Sequence, residues 1–166
     1  MRSVYRLTLY GLFTAMIALA TSVLKVPGPT GYYHLGDALI YTAAVVLGPV
    51  FGGITGGVGS AVADLVGGFG VWAPWTFVIK GLTGLTVGYI AGSARRGAAY
   101  IAMIAGAVVT IVGYGVATSI MYDPAAAIGE TLGNVAQTAS GIVVASVLIP
   151  ATRRALVRTV ERRQES

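Results

Sequence analysis

Trp72, Thr76, Lys80 and Thr83 are spaced by four, four and three residues. On a helix that spacing stacks all four on one face. Thr110, Tyr114, Thr118 and Tyr122 form a second such stripe, and Glu130, Asn134, Gln137 and Gly141 a third. Together they offer flat aromatic surface, one ammonium, one carboxylate and two amides. That set suits recognition of a small polar heterocycle by stacking and hydrogen bonding. The stripes interrupt otherwise apolar segments, where ionisable and polar groups are costly and point to function.

Plainer readings of the same residues stay open. Trp72, Trp75, Tyr32 and Tyr33 also fit an interfacial aromatic belt. Lys80 also fits a snorkelling side chain, or a structural partner of Asp64. Glu130 and Asp123 fit solvated loop charges, and His34 a loop residue. Asn134 and Gln137 need partners in an apolar helix, and neighbouring helices can supply them. Several catalytic chemistries have no basis here. There is no G-x-x-x-x-G-K-[ST] loop for ATP and no H-E-x-x-H. Gly59-Ser60-Ala61 is not a G-x-S-x-G elbow, and a Ser60–His34 dyad asks a loop histidine to reach the inner half of a span. With one His and no Cys, no thiolate or multi-histidine metal site is expected, and no cofactor.

The elements that must position these groups follow from composition. The 166 residues are 55% hydrophobic and 10% charged, and their mean hydropathy is +0.79. Water-soluble domains carry about 25% charged residues, so an integral membrane protein is expected. The net charge of +5 does not imply nucleic acid. Nine of eleven basic residues fall in three clusters: Arg2 and Arg6; Arg95 and Arg96; and Arg153, Arg154, Arg158, Arg162 and Arg163. Such clusters flanking uncharged segments are how membrane proteins use Lys and Arg.

A spanning helix needs about 20 residues. Spans are expected at 7–24, 72–92, 97–122 and 131–152, the last starting near Glu130. The 38–67 stretch reads as one kinked helix or as two short helices broken at Gly48-Pro49. Two helices place all three basic clusters on one side, so the expected fold is all-α, with six transmembrane helices in a compact bundle and both termini cytoplasmic. Ala18-Leu19-Ala20 resembles a signal-peptidase site, but the apolar run continues to Leu24, and a retained first span is expected. In this topology the polar ends of the three stripes share the outer half, forming a pocket open to the outside.

Small residues let spanning helices approach closely. Gly48, Gly52, Gly56 and Ser60 form one row, Gly53, Gly57 and Ala61 another, and Gly84, Gly88 and Gly92 a third. Gly11 with Ala15, and Thr14 with Ala18 and Ser22, do the same in the first span. These rows fit internal packing or a docking face for another membrane subunit.

The run Gly31-Tyr32-Tyr33-His34-Leu35-Gly36-Asp37, then Leu47-Gly48-Pro49, then Gly56 to Leu65, Trp72-Ala73-Pro74-Trp75-Thr76 and Ile79-Lys80-Gly81-Leu82 resembles the S components of energy-coupling factor (ECF) vitamin transporters. The branch is the one holding hydroxymethylpyrimidine and riboflavin-type S components. His34 stands where that family usually has Asn. The resemblance implies a single transmembrane domain and no catalysis by this chain. Helices 1–3, about residues 5–67, would dock on a transmembrane coupling subunit, with Gly11, Thr14, Ala15 and Ala18 on the docking face. Helices 4–6, about 72–155, would hold the substrate pocket. Trp72, Trp75, Thr76 and Lys80 match the family's motif region; Tyr114, Glu130, Asn134 and Gln137 follow by position, and His34 is the candidate contact from the outer loop. Two cytosolic ATPases would consume the ATP, and the setting would be a prokaryotic cell membrane. The rival readings are a self-sufficient channel or secondary carrier and, from another class, a small membrane enzyme.

Overall fold

The computed structural model describes residues 2–93 and 97–164, with side chains described for residues 4–93 and 97–157. The Arg95-Arg96 cluster lies outside the described residues, as do the side chains of Arg2, Arg158, Arg162 and Arg163. The order of elements is α1 (Arg2–Val23), β1 (Lys25–Pro27), β2 (Tyr32–His34), α2 (Gly36–Leu47), α3 (Pro49–Val66), α4 (Ala73–Ala91), α5 (Ala98–Met121) and α6 (Pro124–Gln164). Four helices are long and apolar enough to cross a membrane, over Val4–Val23, Pro49–Val66, Ala98–Met121 and Pro124–Val157. The architecture is that of an all-α membrane protein with one small added hairpin. At 1.5 Å per residue the 12-residue α2 is only about 18 Å long.

The 38–67 stretch is two helices. Gly48 turns the chain between them with φ +98°, a left-handed value that disfavours any side chain. Pro49 then opens α3, where a missing N–H costs nothing. The α4 glycines lie against this elbow. A Cβ at Gly84 would stand 2.3 Å from the Gly52 carbonyl oxygen, and one at Gly88 would stand 2.3 Å from Pro49 Cα. Gly53 and Gly57 likewise face Gly81 and Phe77 of α4. The glycine rows of α3 and α4 are therefore internal seams.

The first span packs through Phe13 and Ile17, both buried. The Thr14 carbonyl lies 2.8 Å from where a Cβ on Gly59 would be. Of the four docking candidates, Gly11 and Ala15 are exposed, and Thr14 and Ala18 are half-buried. Helix α2 touches α1, α3, α4 and α6. Tyr41, Ala44, Val87, Met103, Ala145 and Ile149 form the apolar core of one part of the bundle.

The last helix differs from expectation at both ends. It starts at Pro124, not near Glu130, because Asp123 caps it by accepting from the Ala126 N–H at 2.8 Å. Proline at the first helical position suits that start. It then continues past Thr152 into the arginine-rich tail.

Candidate substrate-binding site

The segment between α1 and α2, expected as a loop, is a hairpin of two three-residue strands. Lys25 pairs with His34 and Pro27 with Tyr32. Its tip is held from two helices. Glu130 Oε1 on α6 accepts from the Thr30 N–H at 2.9 Å and also from the Thr30 hydroxyl. The Trp72 indole N–H, at the mouth of α4, donates to the Thr30 carbonyl at 3.1 Å. The His34 N–H donates to Gln137 Oε1 at 3.0 Å. Thus the hairpin lies across the end of the bundle.

Under it is a cavity of about 40 Å³. Seven of the nine expected binding residues line it: His34, Trp72, Thr76, Tyr114, Glu130, Asn134 and Gln137. They come from three helices and the hairpin, so the three sequence stripes converge. Trp72 and Tyr114 form an aromatic wall, with ring centroids 5.9 Å apart. The Tyr114 hydroxyl donates to Thr76 Oγ1 at 3.0 Å. Asn134 is 4% exposed and lines the cavity.

Two expected residues lie elsewhere. Lys80 is fully buried beneath the cavity, where its ammonium donates to Asp37 Oδ1 at 2.6 Å. Asp37 Oδ2 accepts from Gln137 Nε2 at 2.8 Å. The partner of Lys80 is therefore Asp37 and not Asp64, because Asp37 begins α2 facing α4. Asp64 instead accepts from the Tyr32 hydroxyl at 2.6 Å through Oδ1. Trp75 packs half-buried against the cluster of Trp72, Ile79 and Ala117, outside the cavity. Glu130 is 7% exposed and holds the hairpin, so it is not a solvated loop charge.

The hairpin residues have shifted acidities. Burial, then the nearby Lys80 ammonium, lowers His34 to about 3. It is neutral, and its Nδ1 accepts from the Gly36 N–H at 3.1 Å. Burial, then Glu130, raises Tyr33 to about 12, and burial with Asp64 raises Tyr32. Both phenols stay protonated donors at neutral pH.

The site is a convergent polar cavity with an aromatic wall inside an apolar bundle. The model of the family "ECF-type riboflavin transporter, S component" matches residues 1–154 of this sequence. The chain belongs to that S-component family. It is thus a substrate-specificity subunit of an ECF-type transporter. The "Thiamine precursor transporter HmpT" of Lactococcus lactis subsp. cremoris (strain MG1363) is 29% identical over 156 residues, covering 92% of this chain and 90% of that one. A Pyrococcus woesei protein described as "Uncharacterized protein in gap 3'region" is 36% identical over 131 residues, 77% of this chain and 88% of the relative. A UPF0397 protein of Streptococcus pneumoniae (strain Hungary19A-6) matches over 63 residues at 36%, or 37% of this chain and 34% of that one.

In this S component the sequence reading missed Asp64, Tyr32, Thr30, Gly31 and Phe69 as lining groups and Asp37 as the lysine's partner. A signal for two of them was present. Asp37, Asp64 and Lys80 are isolated ionisable residues at helix depth, and two carboxylates competed for one ammonium. Helical periodicity alone does not say which wins. The hairpin residues carried no periodic signal.

Proposed function

We propose that this S component captures a flat, water-soluble vitamin or vitamin precursor, of the hydroxymethylpyrimidine or riboflavin kind, from outside a prokaryotic cell. The observation that carries the reading is the cavity itself. Trp72 and Tyr114 supply a stacking wall, and Asn134 supplies an amide in the lining. Aromatic contacts contribute about 0.5–1.5 kcal/mol beyond area burial. A hydrogen bond to a buried polar atom contributes about 1 kcal/mol and costs more when left unmade. The relative that transports a thiamine precursor supports a pyrimidine-type ligand, and the matching family a flavin.

A water needs about 10–15 Å³ of such space, so the cavity of about 40 Å³ takes only a few water-sized groups. A six-membered ring with substituents enters when the Thr30 tip leaves Glu130 and Trp72. Six spans with both termini cytoplasmic put the hairpin outside and the arginine clusters inside, in keeping with the positive-inside rule. Helices α1–α3 carry the docking role, with Gly11 and Ala15 presenting small residues on an open face. The pocket draws half of its twelve lining residues from Trp72 and α4–α6, and the other half from the hairpin segment, Asp64 and Phe69. The partners are a transmembrane coupling subunit and two cytosolic ATPases, which use the ATP. This chain carries no cofactor and no catalytic role.

The test is reconstitution in proteoliposomes with and without the coupling subunit and ATPases. Accumulation of labelled hydroxymethylpyrimidine or riboflavin only with all subunits and internal ATP is the expected result. Accumulation by this chain alone would make it a carrier.

A further inference from the structure

We propose that the cavity holds its ligand as a hydrogen-bond donor, an aminopyrimidine-type ring whose N–H group is received by Asp64 Oδ2. This rests on the reading of the cavity as the substrate site and names the substrate chemistry. Asp64 lines the cavity and is 5% exposed. Its Oδ1 is taken by the Tyr32 hydroxyl, whereas its Oδ2 is buried with no well-formed hydrogen bond among the described residues, the Thr76 hydroxyl being a neighbouring donor that the ligand would have to displace or share. A buried carboxylate oxygen without a donor is costly, and a ligand N–H relieves that cost. Tyr32 fixes the carboxylate's orientation, so the free oxygen is pre-positioned.

The other charges agree. The lining holds two carboxylates, Asp64 and Glu130, and no lysine or arginine among the described residues. Lys80 is covered and occupied by Asp37. Glu130 is occupied by Thr30. A phosphate or carboxylate group meets oxygen rather than a cation. An amine beside a ring nitrogen meets Asp64 on one side, and the amide of Asn134 in the lining can pair with ring nitrogen or oxygen.

The experiment is competition binding on purified full-length protein in nanodiscs. The probes are 4-amino-5-hydroxymethyl-2-methylpyrimidine, its 4-methyl counterpart, which carries no N–H, and riboflavin. Wild type should prefer the amino compound over the methyl compound at least about tenfold. Asp64→Asn, which places an N–H where an oxygen stood, should weaken the amino compound about 10- to 150-fold, the range of a charge-assisted bond. The preference ratio should collapse or invert. Ratios within one sample are independent of the folded fraction, and the wild-type ratio alone decides the sign if Asp64→Asn folds poorly. Tight binding of the methyl compound or of riboflavin in preference to the amino compound, or an unchanged ratio in Asp64→Asn, overturns the aminopyrimidine proposal and leaves the substrate site standing. Binding of none of the three overturns both.

Discussion

Removing Lys80 should destabilise the ligand-free protein more than any other single change at the site. Its ammonium and Asp37 are both 0% exposed and 2.6 Å apart. In Lys80→Met, Asp37 keeps only the Gln137 amide as a side-chain donor, at 2.8 Å. Breaking a buried ion pair by deleting one partner costs about 3–5 kcal/mol, because the other charge stays buried without compensation. For a chain of this length 1 kcal/mol moves the midpoint by about 2–4 °C. The expected drop is therefore about 6–20 °C, read by intrinsic fluorescence in detergent without ligand. Neutralising the stranded charge should recover part of it, so Lys80→Met with Asp37→Asn should melt above Lys80→Met alone. A midpoint for Lys80→Met within about 2 °C of wild type, or a double variant that is worse than the single, would refute the buried-pair argument.

Ala15→Trp and Ala18→Trp should abolish ATP-driven uptake while leaving affinity within about threefold, since a bulky ring blocks close helix approach far from the cavity; loss of binding in the isolated subunit would contradict this. Acid should weaken the ligand-free fold through His34. Its folded value of about 3 lies below the ordinary 6.5, so the unfolded chain takes the proton first and stability falls as pH drops from 6.5 toward 3. At pH 5 the loss is ~2 kcal/mol, and His34→Asn should flatten the midpoint between pH 7.5 and pH 5. Cysteines placed singly at positions 2, 96 and 164, in a chain that has none of its own, should resist an impermeant thiol reagent in intact cells. Labelling at 96 alone would contradict six spans.

The helical part of the fold was legible because it is written in charge spacing and breakers. Uncharged runs marked the helices, four of them long and apolar enough to cross a membrane, and Gly48-Pro49 marked the α2–α3 elbow. The stripe of Glu130, Asn134 and Gln137 read correctly as one face because α6 is regular there. The start of α6 was missed because the Asp123 cap lies outside the apolar run that defined the span. Trp75 and Lys80 were misplaced for different reasons. Trp75 sits one residue before Thr76, and adjacent helix residues point about 100° apart, so a motif containing both cannot aim both inward. Lys80 does lie on the correct face, but Asp37 covers it, and only packing decides which carboxylate arrives. The hairpin was illegible because three-residue strands depend on tertiary partners, here Thr30 with Glu130 and Trp72.

The protein has two tryptophans, and only Trp72 lines the cavity. In Trp75→Phe, Trp72 is the sole indole and reports on the site alone. Titration of that purified variant with aminopyrimidine and flavin ligands should give saturable quenching at wild-type affinity. Adding Asn134→Ala should weaken it by about 5- to 150-fold, the loss of one buried hydrogen bond. Quenching that vanishes with Trp75, or an affinity untouched by Asn134→Ala, would place the ligand elsewhere.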